Sequence, residues 1–126
     1  MSKKIINTDL SPAPIGPYNQ AVLAGNTLYV SGQVGINPVT GEIGEDVSSQ
    51  AEQVLKNLEN ILKEAGYSFK DVVKSTIFLR DMADFAAVNE IYGKCFDENA
   101  PARETVAVLG LPRDVKVEIS MIAWKA

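Results

Sequence analysis

Between Val47 and Ala65 the apolar residues are Ala51, Val54, Leu55, Leu58, Ile61, Leu62 and Ala65. They recur in steps of three and four, which lines them up along one side of an α-helix. Ser48 or Ser49 can cap the start of that helix, and Gly66 is placed to end it. A helix with a single apolar stripe gains most of its stability by laying the stripe on a partner. The remainder of the chain supplies strands to serve as that partner.

Gln20 to Ala24 and Thr27 to Ser31 predict two short strands joined by the tight-turn dipeptide Gly25-Asn26. Val72 to Leu79 is β-branched and apolar enough for a buried strand, and Asp81 then caps a second helix carrying Phe85, Val88, Tyr92 and Phe96 on one face. Glu104 to Leu109 and Val115 to Trp124 flank the turn Leu111-Pro-Arg-Asp114. The last of these alternates Val115, Val117, Ile119 and Met121 with Lys116, Glu118 and Ser120, the period of a strand with one buried face. Leu10 to Tyr18, with three prolines and a glycine in nine residues, must be an extended loop, and Asn37 to Gly41 reads as a turn. The order β-β-α-β-α-β-β predicts an α+β fold over a single domain, residues 1–126, with both helices on one face of a sheet. The other face then carries Thr, Ser, Ala, Val and a few charges. A half-apolar open face favours a symmetric homo-oligomer with its binding cleft where subunits meet.

Composition narrows the chemistry. A chain of 126 residues buries roughly two thirds of the surface its unfolded form exposes, so its core needs neither disulfide nor metal. Cys95 is the only cysteine, which excludes an internal disulfide and a CxxC redox pair. There is no histidine, so Ser-His-Asp and Cys-His catalysis are excluded and zinc hydrolysis is disfavoured. Proton transfer falls to carboxylates, lysine, tyrosine, one thiol or water. Twelve basic against sixteen acidic residues give a net charge of −4. Six of the acids lie between Glu42 and Glu64 against Lys56 and Lys63, which accounts for that whole charge and fits a solvated helix face. No basic stripe is present to bind nucleic acid. No run approaches the ~20 apolar residues of a membrane span and the N-terminus lacks a signal-peptide core, so a cytoplasmic location is expected.

Two side chains stand out for chemistry. Arg103, at the start of a predicted strand, offers a permanently charged fork for a substrate carboxylate or phosphate; the plainer alternative is a surface salt bridge with Glu104 or another acid. Glu118, in the most regular strand, is either a proton-transferring acid beside a fixed cation or an exposed edge-strand charge. If the last two strands form a hairpin about Pro112 and Arg113, Glu118 lies opposite Ala107 and Ser120 opposite Thr105. Arg103, Thr105 and Glu118 then share a side, a result that a slip of one residue would reverse. Tyr18 offers a phenol at the end of the Pro-rich loop, and Asn89 a carboxamide on the second helix. Cys95 reads as core, and the run Gly32 to Gly35 is too short and wrongly placed for a dinucleotide fingerprint.

Several motifs at fixed separation resemble one family. They are Ile-Gly-Pro-Tyr (15–18), Tyr-Val-Ser-Gly-Gln (29–33), Asn-Pro-Val-Thr-Gly-Glu (37–42), Gln-Ala-Glu-Gln-Val-Leu-Lys-Asn-Leu (50–58), Phe-Ala-Ala-Val-Asn (85–89), Pro-Ala-Arg (101–103) and Leu-Pro-Arg-Asp-Val-Lys-Val-Glu-Ile (111–119). Together, from about residue 3 to 124, they resemble the RidA (YjgF-like) reactive-imine deaminases. The resemblance implies a chorismate-mutase-like α+β fold, a homotrimer with sites in the clefts between subunits, and cofactor-free hydrolysis of 2-iminopropanoate and 2-iminobutanoate to 2-oxo acids and ammonia. It matches Arg103 to the arginine that holds the substrate carboxylate and Glu118 to the acid that positions water. Tyr18, Gly32 and Asn89 match further cleft residues. Thr105 stands where the family often has cysteine, and offers a backbone N–H and a hydroxyl in place of a thiol.

Such chemistry suits a chain without histidine. An imine carbon is already electrophilic, so hydrolysis needs a held carboxylate, a placed water and one proton acceptor. General acid–base help of about 10²–10⁴-fold lowers the barrier by about 3–5.5 kcal/mol. Two other classes compete with this expectation: a non-catalytic binder of 2-oxo acids using the same cleft, and an RNA-cleaving translation inhibitor. Retention of Arg103 weighs against the first; acidic composition and missing histidine weigh against the second.

Overall fold

A computed structural model of the chain describes residues 2–126. Six strands, β1 (Lys4–Ile6), β2 (Ala21–Ala24), β3 (Thr27–Val34), β4 (Val72–Leu79), β5 (Ala102–Ala107) and β6 (Val117–Trp124), form one sheet in the order β1-β2-β3-β6-β4-β5. Two helices, α1 (Val47–Glu64) and α2 (Phe85–Gly93), complete the α+β architecture. β1 escapes the sequence pattern because it is three residues long and buries only Ile6. β3 runs on past Ser31, where the predicted strand ended, through a register irregularity between Val30 and Gln33.

Local chemistry sets the helix ends. Asp46, not Ser48 or Ser49, caps α1: its carboxylate accepts the Ser49 N–H at 2.7 Å, and hydrogen bonding from the Ser49 side chain first and its N–H second holds the Asp46 carboxyl below its usual range. Ala65 is the C-cap and Gly66 follows at φ +81. Asp81 accepts the Ala83 N–H at 2.9 Å and so caps a short 3₁₀ turn, Met82–Asp84, that leads into α2. Cys95 and Phe96 lie beyond α2 but still pack against the core.

The largest departure from expectation concerns the last two strands, which do not form a hairpin. β5 pairs parallel with β4, placing Ser75 beside Arg103 and Ile77 beside Thr105. β6 instead enters antiparallel between β3 and β4, with Glu118 beside both Val34 and Phe78. The reason is the alternation of β6. Val117, Ile119, Met121 and Ala123 are all 2% exposed or less, and only a central strand can bury so complete a row while pairing on both edges. Partnered residues share a face, so Arg103 and Thr105 lie with Ile77 and Ile119 on one side of the sheet and Glu118 lies with Phe78 on the other. The expected same-side grouping of Arg103, Thr105 and Glu118 is therefore overturned.

α1 lays Val54, Leu58, Ile61 and Leu62 on the face formed by Leu28, Val30, Ile119 and Met121. The opposite face carries Lys74, Thr76, Phe78, Ser120 and Ile122, with Tyr29 and Trp124 half exposed, so it is more aromatic than the sequence suggested. Asn57 is the polar exception within the core. Its side chain, on a fully buried residue, donates to the carbonyls of Val34 and Ile36 at 3.2 and 3.0 Å and accepts from Gln53 at 2.8 Å. Asn57→Leu, close in size but without donors, orphans the Ile36 carbonyl and leaves that of Val34 with only the Ile36 N–H at 2.8 Å, and is expected to lower the unfolding free energy by about 1–3 kcal/mol in a urea titration.

Candidate functional site

The predicted site residues fall into two clusters on opposite faces of the sheet. The first surrounds Arg103 on the edge strand β5. Its Nη1 donates to Asn89 Oδ1 at 2.6 Å, and its guanidinium carbon lies 5.6 Å from the ring centre of Phe85 and 5.1 Å from that of Tyr92, all three residues being on α2. The spacing Phe85, Asn89, Tyr92 is one helix face, and it cradles the cation between two rings and a carboxamide. Tyr92 is itself fixed, its hydroxyl donating to Ser75 Oγ at 2.9 Å; burial pushes its phenol up, against the opposing influences of that bond and the Arg103 charge. The sequence placed Phe85 and Tyr92 on one helical face, and helical spacing does not say that an edge-strand cation will lie against that stripe.

No acid neutralises Arg103 among the described residues. Glu104, the partner suggested by sequence, pairs with Lys74 across the sheet face at 3.3 Å instead. The surface-salt-bridge alternative for Arg103 is thus removed, and the fork is left oriented and without a counter-ion. Thr105, two residues along the same edge and the same face, has a buried hydroxyl oxygen with no hydrogen-bond partner among the described residues.

The second cluster lies around Glu118 in the middle of β6. β6 is a central strand and Glu118 is half-buried, so it is not an exposed edge charge. Burial is the only cause acting on its carboxyl and pushes it above the usual glutamate range. Gly32 on β3 explains how the carboxylate fits: a Cβ there would sit 2.5 Å from Glu118 Oε2. Gly32 also lines a cavity of about 380 Å³ with Tyr18, Ile15, Val34, Pro112 and Arg113. Tyr18 is 49% exposed, at the end of the Pro-rich loop. Glu118 does not itself line this cavity; Gly32, which touches both, is the link between the half-buried carboxylate of raised basicity and the phenol-bearing cavity. Arg113 was not among the residues singled out by the sequence; its signals are its place in the turn before β6 and in the motif 111–119.

Other features carry less. A groove of about 530 Å³ between α1 and the end of α2 takes in Cys95 but none of the predicted site residues, and burial pushes the Cys95 thiol up, away from its reactive form. No group of three or more Cys, Asp or Glu residues that could hold a metal ion occurs among the described residues, and no helix there is long and apolar enough to cross a membrane.

Known proteins share this architecture. The family model described as Endoribonuclease L-PSP matches residues 8–125. A RutC family protein of Synechocystis sp. is 55% identical, covering 98% of this chain and 97% of its own. Reactive Intermediate Deaminase A, chloroplastic, of Arabidopsis thaliana is 48% identical over 98% of this chain and 66% of that protein. The crystal structure of RidA from the Antarctic bacterium Psychrobacter sp. superimposes with a TM-score of 0.94 at 45% identity, over 97% of this chain and 99% of that one. A match along nearly the whole chain, in sequence and in fold, means that this chain belongs to the RidA (YjgF-like) family.

Proposed function

We propose that this protein hydrolyses 2-imino acids, such as 2-iminobutanoate and 2-iminopropanoate, and their enamine tautomers, to 2-oxo acids and ammonia without a cofactor. The observation that carries the reading is the caged Arg103 fork: a guanidinium held by Asn89, Phe85 and Tyr92 and left without an acidic partner is preorganised for a ligand carboxylate. Membership of a family that includes a plant reactive intermediate deaminase supports the reaction class. The name Endoribonuclease L-PSP points elsewhere, but a net charge of −4 and the absence of histidine supply neither phosphate binding nor the usual base for RNA cleavage.

In this reading Arg103 and Glu118 work on one substrate although a single chain sets them on opposite faces of its sheet. The site is completed when the β5 edge of one copy meets the Glu118 face of another, in a homotrimer. The half-apolar face with Tyr29, Phe78 and Ile122 supports such burial. Arg103 holds the carboxylate, and Asn89 keeps the fork in place. Tyr18 and Gly32 shape the facing wall, while Thr105 presents its backbone N–H and hydroxyl beside Arg103. With the imine protonated on nitrogen, Glu118 takes a proton from water as the water oxygen bonds to the imine carbon and the C=N π pair moves to nitrogen, giving a neutral carbinolamine. Glu118 returns that proton to the amine nitrogen, and as the C–N bond breaks and ammonia leaves, the hydroxyl proton passes to the Glu118 carboxylate and from there to solvent, leaving the C=O. One water is consumed and no electron acceptor is needed.

The direct test is release of 2-oxo acid and ammonia from 2-iminobutanoate generated in situ. Wild-type protein should exceed the buffer rate, and Arg103→Ala should lose about 10²-fold or more in kcat/KM, as expected for a charge-assisted fork; rates at buffer level for both proteins would refute the reading. Glu118 acts as carboxylate, and burial raises the pH at which it protonates above the ordinary value of 4.5. Consequently kcat/KM should decline as pH falls through that elevated point. Glu118→Gln should remove this acid limb and cost about 10²–10⁴-fold, which a pH–rate profile measures. Completion between copies predicts complementation: Arg103→Ala and Glu118→Gln, each strongly impaired alone, should regain part of the activity when unfolded together and refolded as mixed trimers.

A further inference from the structure

Arg113 lines the same cavity as Tyr18 and Gly32, and no step above uses it. Its backbone is left-handed, at φ 58 and ψ 18, and so is that of Asp114, at φ 55. They are the only two non-glycine residues with positive φ among the described residues. A turn with no other task favours glycine or asparagine at such positions, because an L side chain resists this conformation. Strain of this kind persists where the surroundings impose it, and it gathers at ligand sites.

The surroundings here are specific. The Asp114 N–H donates to the Leu111 carbonyl at 3.1 Å and the Val115 N–H to that of Pro112 at 3.3 Å. Arg80, at the end of β4, binds the Asp114 carboxylate through Nη1. That ion pair occupies the neighbouring acid, so Arg113 keeps its charge free: the ion pairs of the described residues are Lys74–Glu104 and Arg80–Asp114. Each of the three arginines thus has a separate place. Arg80 latches the turn, Arg103 is caged at the sheet edge, and Arg113 stands at the cavity without a counter-ion.

The cavity wall is mainly apolar, with Ile15, Val34, Ile36 and Pro112 in it. Its volume of about 380 Å³ falls in the range of about 300–1,000 Å³ usual for small-molecule sites, and is more than the two-carbon side chain of 2-iminobutanoate fills. We propose that Arg113 is a specificity-determining residue that receives the distal carboxylate of 2-imino dicarboxylic acids, whose imine end is held by Arg103 of a neighbouring copy. The inference rests on the imine-hydrolase reading for its reaction, but not for its binding preference. Two guanidiniums at separate points of one cleft match two carboxylates at the ends of one short carbon chain.

The test compares 2-iminoglutarate with 2-iminobutanoate, each generated in situ from its parent amino acid by an oxidase. In Arg113→Ala the ratio of kcat/KM for the dicarboxylate to that for the monocarboxylate should fall at least about tenfold, chiefly through KM, and Arg113→Lys should keep most of it. Arg113→Gly should show the same fall in ratio together with a higher Tm, since it relieves the backbone while removing the fork. A ratio unchanged in Arg113→Ala overturns the proposal. Calorimetric binding of 2-oxoglutarate and 2-oxobutanoate decides the matter independently of turnover. Wild type should bind the dicarboxylate at least about tenfold more tightly, and Arg113→Ala should lose that preference. Equal affinities in wild type, or a preference that survives in Arg113→Ala, would refute it. If wild type turns over no imine yet shows the Arg113-dependent preference, the reaction assignment fails and the role of Arg113 stands.

Discussion

The position of β6 governs the rest of the molecule. Four of its side chains, Val117, Ile119, Met121 and Ala123, are buried against the helices, and burying a Val, Ile or Met contributes about 1.5–3 kcal/mol each. An edge strand would leave one side of such a row unpaired and wet, so the chain carries β6 past β4 into the centre of the sheet. The turn that makes this crossing is Pro112–Asp114, latched by Arg80 from the end of β4. From that one placement follow the parallel β4–β5 edge, the exposure of Arg103 on it, and the half-burial of Glu118 in the middle of the opposite face.

Charge is handled differently at the two clusters. Arg103 stays exposed while its hydrogen bond and two ring faces fix its direction, so little orientation remains to be lost when an anion arrives. Glu118 has been taken partly out of water with no cation beside it, which raises its basicity at some cost in stability. Gly32 makes room for that carboxylate, since any side chain at the position would occupy the space of Glu118 Oε2. Each cluster lacks what the other supplies, and in the proposed assembly the two halves meet across copies.

Much of the fold was legible in the residues. The stripe from Ala51 to Ala65 determines α1 because helical periodicity is local, and the alternation of Val117, Ile119 and Met121 determines a one-face-buried strand for the same reason. Caps were less legible: Asp46, Ser48 and Ser49 all offer the right chemistry, and which one closes the helix depends on the path of the preceding loop. β1 could not be seen, since three residues carry almost no period. The motifs of the family were also present in the residues, and they pointed to Arg103 and Glu118 as candidates without placing either in space.

The sequence by itself determined the periodicities, the exclusion of histidine chemistry and the family, because each is a property of residue identity and spacing along the chain. Only the tertiary structure decided which strands are neighbours, because register and strand order depend on how a whole sheet buries its apolar rows. That decision reversed the expected grouping of Arg103 and Glu118 and set the two on opposite faces of the sheet. It also removed Glu104 as a partner for Arg103 and brought Phe85 and Tyr92 to the guanidinium. Contacts of this kind join residues far apart in sequence, and no local pattern specifies them.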